Sequence, residues 1–157
     1  MQDWVEELAK LNVNKAIRDV LSDGKVQADI IKLNTNAQLY DLGENSLGIK
    51  LSAIGGGYSP YTKEIKLAKG QPIDRVTLKD TGDFYATFKV NVFANGDFEI
   101  VADPIKDDTN LFQEWGKEIV GLQAKNLEQV LSFVEAAILD EILKGVQNHT
   151  PSNLQIA

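Results

Sequence analysis

The sequence predicts an α+β fold, a small, mostly antiparallel sheet with N-terminal and long C-terminal helices packed on one face. Three observations carry this. Val26, Ile30, Leu33, Ala37 and Tyr40 recur at the spacing of one helix face. Leu127, Leu131, Val134, Ile138 and Ile142 repeat that pattern near the C-terminus, widened by Val130, Phe133 and Ala137. Between the two, Phe88, Val90 and Val92 alternate with polar residues, Asn95-Gly96 follows, and Phe98-Glu99-Ile100-Val101 resumes, the pattern of a hairpin closed by a type I′ turn. The 157 residues have the size of one domain, and no repeat or low-complexity stretch divides them.

The chain opens with a helical arm, residues 1–22. Trp4, Leu8 and Leu11 fall on one face, and Ile17, Val20 and Leu21 on a second. Such an arm either folds back on its own core or docks on a neighbouring subunit. Asp23 is placed to N-cap a helix over 24–41, and Gly43 to end it in the left-handed conformation. Residues 43–60 read as a flexible glycine-rich loop with a short strand at Ile49–Leu51. Gly55, Gly56 and Gly57 match neither the spacing of a phosphate-binding loop nor a dinucleotide fingerprint. Ser59 then caps a helix with Pro60 in its first position, and Gly70 closes it. Lys63, Lys66 and Lys69 fall on it at the spacing of a solvated face.

After the extended Gln71-Pro72, Val76–Leu78 reads as a short strand or extended arm. Asp80 or Thr81, with Gly82, opens a short helix containing Phe84, Tyr85 and Phe88. Beyond the hairpin, Asp108 or Thr109 caps a helix through Trp115, closed by Gly116, and Ile119–Leu122 is a last short strand. The final helix starts at Asn126, with Gln129 completing a capping-box variant, and runs to about Val146. Residues 147–157 form a polar C-terminal tail that either frays or serves as a contact arm.

Little here points to catalysis. There is no cysteine and a single histidine, His149, so neither thiolate chemistry nor a His-rich metal site is expected. A calcium loop starting at Asp103 fails, because Asp108 stands where the turn glycine belongs and Ile105 at a ligand position. Asp80 and Asp83 form a carboxylate pair of the kind that does acid–base work or holds a metal. An N-cap Asp with an acid in the first helical turn explains them without chemistry. The net charge of −7 opposes binding along a phosphate backbone. No stretch is apolar enough for a membrane span, and the acidic start is unlike a secretory signal. The residues themselves point to no catalytic, metal or cofactor site.

Several motifs together resemble those of tailed-phage virion-morphogenesis proteins, the head–tail connector and tail-completion families. They are Gly55–Gly57, Ser59-Pro60-Tyr61-Thr62, the lysine-bearing 63–69, Leu78-Lys79-Asp80-Thr81-Gly82, Phe84–Phe88, Phe112–Gly116 and the terminal helix 126–146. The resemblance implies a non-catalytic subunit of a homo-oligomeric ring at the neck or tail of a virion, assembled in the host cytoplasm. Its partners would be portal, neck or tail proteins, with the genome passing through the bore and no specific nucleic-acid or membrane binding. The residues expected at intersubunit contacts are Trp4, Gly55, Gly56, Gly57, Tyr58 and Tyr61. Those expected to set turns and caps are Asp80, Thr81, Gly82, Asn95 and Gly96. A non-viral α+β adaptor domain and a hydrolase using Asp80 and Asp83 are the competing readings.

Overall fold

A computed structural model describes residues 13–148. The chain is α+β, with seven α-helices among the described residues and two separate antiparallel strand pairs. Helices α1 (Val13–Ser22) and α2 (Gly24–Lys32) meet at Asp23, whose carboxylate accepts hydrogen bonds from the amides of Lys25 and Val26 at 3.0 and 3.1 Å. The expected cap is therefore present. The helix continues beyond Lys32, but Leu33–Leu42 winds as a π-helix of 10 residues. It ends on Gly43, left-handed at φ 62°.

The segment 43–60 is more structured than a flexible loop. Asn45 folds its side chain back onto the amides of Leu47 and Ile49, both at 3.0 Å. Glu44 and Lys50 form an isolated bridge where the sequence suggested a strand, and Leu51 leads into the one-turn helix α3 (Ser52–Gly55). Ser59 caps α4 (Pro60–Ala68) by accepting from the Thr62 amide at 3.1 Å. Val76–Leu78 is irregular rather than a strand. Helix α5 (Asp83–Ala86) follows left-handed Gly82, at φ 97°.

Strands β1 (Lys89–Val92) and β2 (Phe98–Val101) pair in the register Lys89 with Val101 and Val92 with Phe98. The turn differs from the expected type I′, which needs positive φ at both Asn95 and Gly96. Only Gly96 is left-handed, at φ 89°, and its amide bonds the Phe93 carbonyl at 3.0 Å. That is a three-residue loop over Ala94–Gly96, with Asn95 in the right-handed half and its side chain accepting from the Asp97 amide. A second, two-residue-per-strand hairpin, β3 (Ile105–Lys106) and β4 (Thr109–Asn110), was not anticipated. Asp107 is left-handed there at φ 52°, a conformation usually signalled by glycine or asparagine.

Asn110, not Asp108 or Thr109, caps α6 (Leu111–Trp115), because its side chain reaches the Phe112 amide at 3.0 Å. Lys117–Ile119 forms a 3₁₀ turn, and α7 (Ala124–Asn148) begins two residues before Asn126. Asn126 is buried inside the first turn instead of capping it.

The hydrophobic interior has two joined parts. Leu39, Leu51, Val76, Phe84, Phe88, Leu111, Trp115 and Ile119 make one, with Phe84 and Phe88 edge to face at 5.1 Å. Leu21, Ile30 and Val130 make the other, against Val90, Val92, Phe98 and Leu122, and Ile100 packs on both. A two-stranded hairpin alone is marginal in water. Here its apolar face lies on α1, α2 and α7, and each buried aliphatic side chain contributes about 1.5–3 kcal/mol.

Candidate functional site

Two irregular backbone segments and one helix face with exposed apolar side chains stand out among the described residues. The first segment is 119–123, where a strand was expected. It leaves the 3₁₀ turn at Ile119, bends at Val120 and Gly121, and is read by side chains instead of by a neighbouring strand. Asn34 of the π-helix donates to the Ile119 carbonyl at 3.0 Å and accepts from the Gly121 amide at 2.7 Å. Gln38 donates to the Gly121 carbonyl at 2.8 Å and accepts from the Gln123 amide at 2.7 Å and the Asn126 side chain at 2.8 Å. Gln123 in turn donates to the Asn45 carbonyl and to Glu44, both at 3.0 Å. Two amide side chains thus do for this backbone what a ladder partner would, and among the described residues no buried side-chain polar atom is left without a partner. Burial pushes the Glu44 pKa up, but hydrogen bonds from Gln123 and Lys50 and the positive charge of Lys50 and Lys125 outweigh it, so it lies below the usual value.

The second segment is 76–80. The Thr77 amide donates to the Tyr58 hydroxyl at 2.9 Å, and the Tyr85 hydroxyl donates to the Thr77 carbonyl. Lys66 donates to the Lys79 carbonyl at 2.8 Å and Gln71 to the Asp80 carbonyl at 2.7 Å. These clamps hold Leu78 at φ 56°, a conformation that disfavours a branched side chain by about 1–2 kcal/mol. Lys79 lies over the Tyr40 and Tyr85 rings, with centroids 5.0 and 5.8 Å away. Burial holds the Tyr85 phenol well above its ordinary pKa, so it stays a donor at any physiological pH.

The residues singled out in the sequence fall on these elements unevenly. Trp4 lies outside the described residues. Gly55 is a close-packing position, since a Cβ there would sit 2.6 Å from the Trp115 ring. Gly56 is left-handed at φ 83°, and Gly57 is exposed with open space around it. Tyr58 is committed to Thr77 and to Lys66, whose ammonium lies 4.7 Å from its ring centroid, so its hydroxyl is already used within the chain. Tyr61 is 72% exposed. Asp80 does not cap α5: it pairs with Lys69, whose hydrogen bond, with help from Lys106 and Lys66, keeps its carboxyl below the usual range. Thr81 instead donates to the Asp83 carboxylate and accepts from the Asp83 amide at 3.4 Å. The lowered pKa of Asp80 makes its carboxyl unsuited to the general-acid half of a carboxylate pair.

Lys66 overturns the solvated-face reading of 63–69, being 7% exposed while Lys63 and Lys69 are open to solvent. Nothing in the spacing marks it, because its burial comes from Tyr58 and the distant 76–80 backbone. Among the described residues no group of three His, Cys, Asp or Glu could hold a metal ion, and no helix is long and apolar enough to cross a membrane.

The third feature is the outer half of α7. This helix of 25 residues is ~37 Å long at about 1.5 Å per residue. Its buried side chains, Asn126 and Val130, lie in its first two turns. The expected stripe is shifted from the buried face: Leu127 and Leu131 are exposed, and Val130, intended as a flank, is the core contact. Further on, Leu139, Ile142 and Leu143 are 58, 36 and 53% exposed. At about 100° per residue Leu139 sits half a turn around the helix from Val130. The apolar face of the outer half therefore points away from the core. Nearer the core, Ile17, Leu21, Phe93, Phe98, Leu131 and Val134 line an open groove of about 570 Å³.

No protein-family model, curated protein or solved structure matches the chain.

Proposed function

We propose that the protein is a non-catalytic assembly subunit, a virion neck or tail ring component of the head–tail connector, tail-completion or tail-terminator kind. It works as a homo-oligomer between portal, neck and tail proteins, is built in the host cytoplasm and resides in the virion. The observation that supports this best is the outward apolar face of α7. Exposed leucines scattered singly are ordinary, but a run at helical spacing on an element with its own core contact elsewhere marks a surface meant for covering. The acidic balance of −7 suits a bore through which DNA slides without being gripped.

Light scattering of the full chain over a range of concentrations, alone and with portal or tail components, tests the reading. The expected result is a multimer of defined size that Leu139→Glu and Leu143→Glu together convert to monomer, with unchanged far-ultraviolet circular dichroism. A chain that stays monomeric under all these conditions overturns the reading.

A further inference from the structure

We infer that the cavity beside Lys66 is a binding site for a carboxylate carried on a short apolar body. The cavity, of about 170 Å³, lies between α4, the 76–80 backbone and α6. Val76, Leu78, Leu111 and Trp115 make its apolar walls, and Lys66 and Lys106 supply positive charge. Lys66 is the decisive group. Its ammonium is buried, yet its hydrogen bonds go to neutral acceptors, the Lys79 carbonyl at 2.8 Å and the Gln71 side chain at 3.2 Å. Asp80, a carboxylate that also lines the cavity, forms its ion pair with Lys69, and Lys66 and Lys106 act on it at longer range without an ion-pair contact.

Buried charges in folded proteins are ordinarily paired, because water no longer solvates them and an isolated one is costly. An anion entering this open cavity meets the ammonium groups of Lys66 and Lys106, and the buried position of Lys66 strengthens its attraction relative to bulk water. The walls select among anions. Roughly five or six water volumes of ~30 Å³ fit, enough for a four-carbon acid, and the aliphatic and indole surfaces favour a hydrocarbon body over a fully hydrated ion. The wall itself is held rigid: Leu78 stays left-handed because Tyr58, Tyr85, Lys66 and Gln71 grip the backbone around it. Strained, over-determined residues of this kind gather at ligand sites. The carboxylate comes either from a free small acid or from an acidic side chain of a second copy. The inference stands independently of the assembly reading.

The test is thermal unfolding of the full chain in sodium butyrate, sodium phosphate and sodium chloride at equal ionic strength, with light scattering in parallel. Butyrate should raise Tm along a saturating curve, as expected for a ligand of the native state, while phosphate tracks chloride. Lys66→Met should lose roughly tenfold or more in butyrate affinity, the scale of one charged hydrogen bond, while loss of the donor to the Lys79 carbonyl lowers its Tm in chloride. Lys106→Met, which leaves the buried backbone contacts intact, should weaken binding as well and carries the test if the Lys66 variant does not fold. A Tm rise without change of mass identifies a free acid as the source. Butyrate that dissociates a multimer identifies a side chain of a second copy. Superposed butyrate and chloride curves, a phosphate shift equal to that of butyrate, or a butyrate shift unchanged in both variants overturns the inference.

Discussion

Residues 119–123 and 76–80 solve one problem by two chemistries. Each is an irregular backbone stretch inside the fold with no strand beside it, and each has peptide groups satisfied by side chains. The first is held by neutral amides, Asn34 and Gln38, each of which both donates and accepts. The second is held by tyrosine hydroxyls, an ammonium and Gln71, and carries a left-handed leucine. The amide clasp is built of neutral groups and has a glycine, Gly121, at its positive-φ position, φ 128°. The tyrosine–lysine clamp holds strain and charge beside a cavity. The difference teaches where rigidity serves the fold and where it shapes a surface a ligand can reach.

The largest expected effect is at the amide clasp. Gln38→Ala strands the Gly121 carbonyl, the Gln123 amide and the Asn126 side chain together, at about 1–3 kcal/mol for each buried group left unsatisfied. A loss of about 3–4 kcal/mol in urea unfolding is expected, and a loss below about 1 kcal/mol would mean that water replaces the amide and the clasp is not what orders 119–123. Tyr85→Phe removes one donor from the Thr77 carbonyl and should cost about 1–2 kcal/mol. Should it equal the Gln38 variant, the two segments would not differ as described.

The smallest effect lies in the carboxylates that border the two regions. Glu44 and Asp80 both have pKa values below the ordinary range. A lowered folded-state pKa stabilises above the unfolded value, about 4, and that contribution is lost as pH falls through the folded pKa. Stability should hold level from pH 7 to about 5 and then decline. Asp80→Asn should change it at pH 7 by only a few tenths of a kcal/mol and abolish the response to 1 M salt at that site, since the Lys69–Asp80 pair is nearly half exposed. Glu44→Gln should show the larger change and the weaker salt response, because Gln123 bonds it at a less exposed place. Urea titrations at several pH values separate the two.

Much of the local architecture was legible in the sequence. Asp23, Ser59 and Gly43 act where their side chains or their lack of one require, because capping is decided within three or four residues. The β1–β2 pairing follows from alternation, although the loop over Ala94–Gly96 chose the longer form. What escaped were features decided at long range. Lys66 stands at the spacing of a solvent face and is buried by a segment 13 residues away. Asn34 and Gln38 look like ordinary polar positions, and their partners lie beyond the hairpin. Asp80 met a lysine before it met an amide. On α7 the apolar arc is so wide that periodicity alone does not choose which part faces the core, and the helices α1 and α2 made that choice.

The amide clasp also bears on the order in which the chain takes shape. Its hydrogen bonds join residues 83 to 88 positions apart. Contacts of that separation close late and slow folding, because the intervening chain must be gathered first. During synthesis the π-helix must wait for residues 119–126 to emerge before Asn34 and Gln38 find their partners. Until then water holds those two amides, and the interior around them stays open.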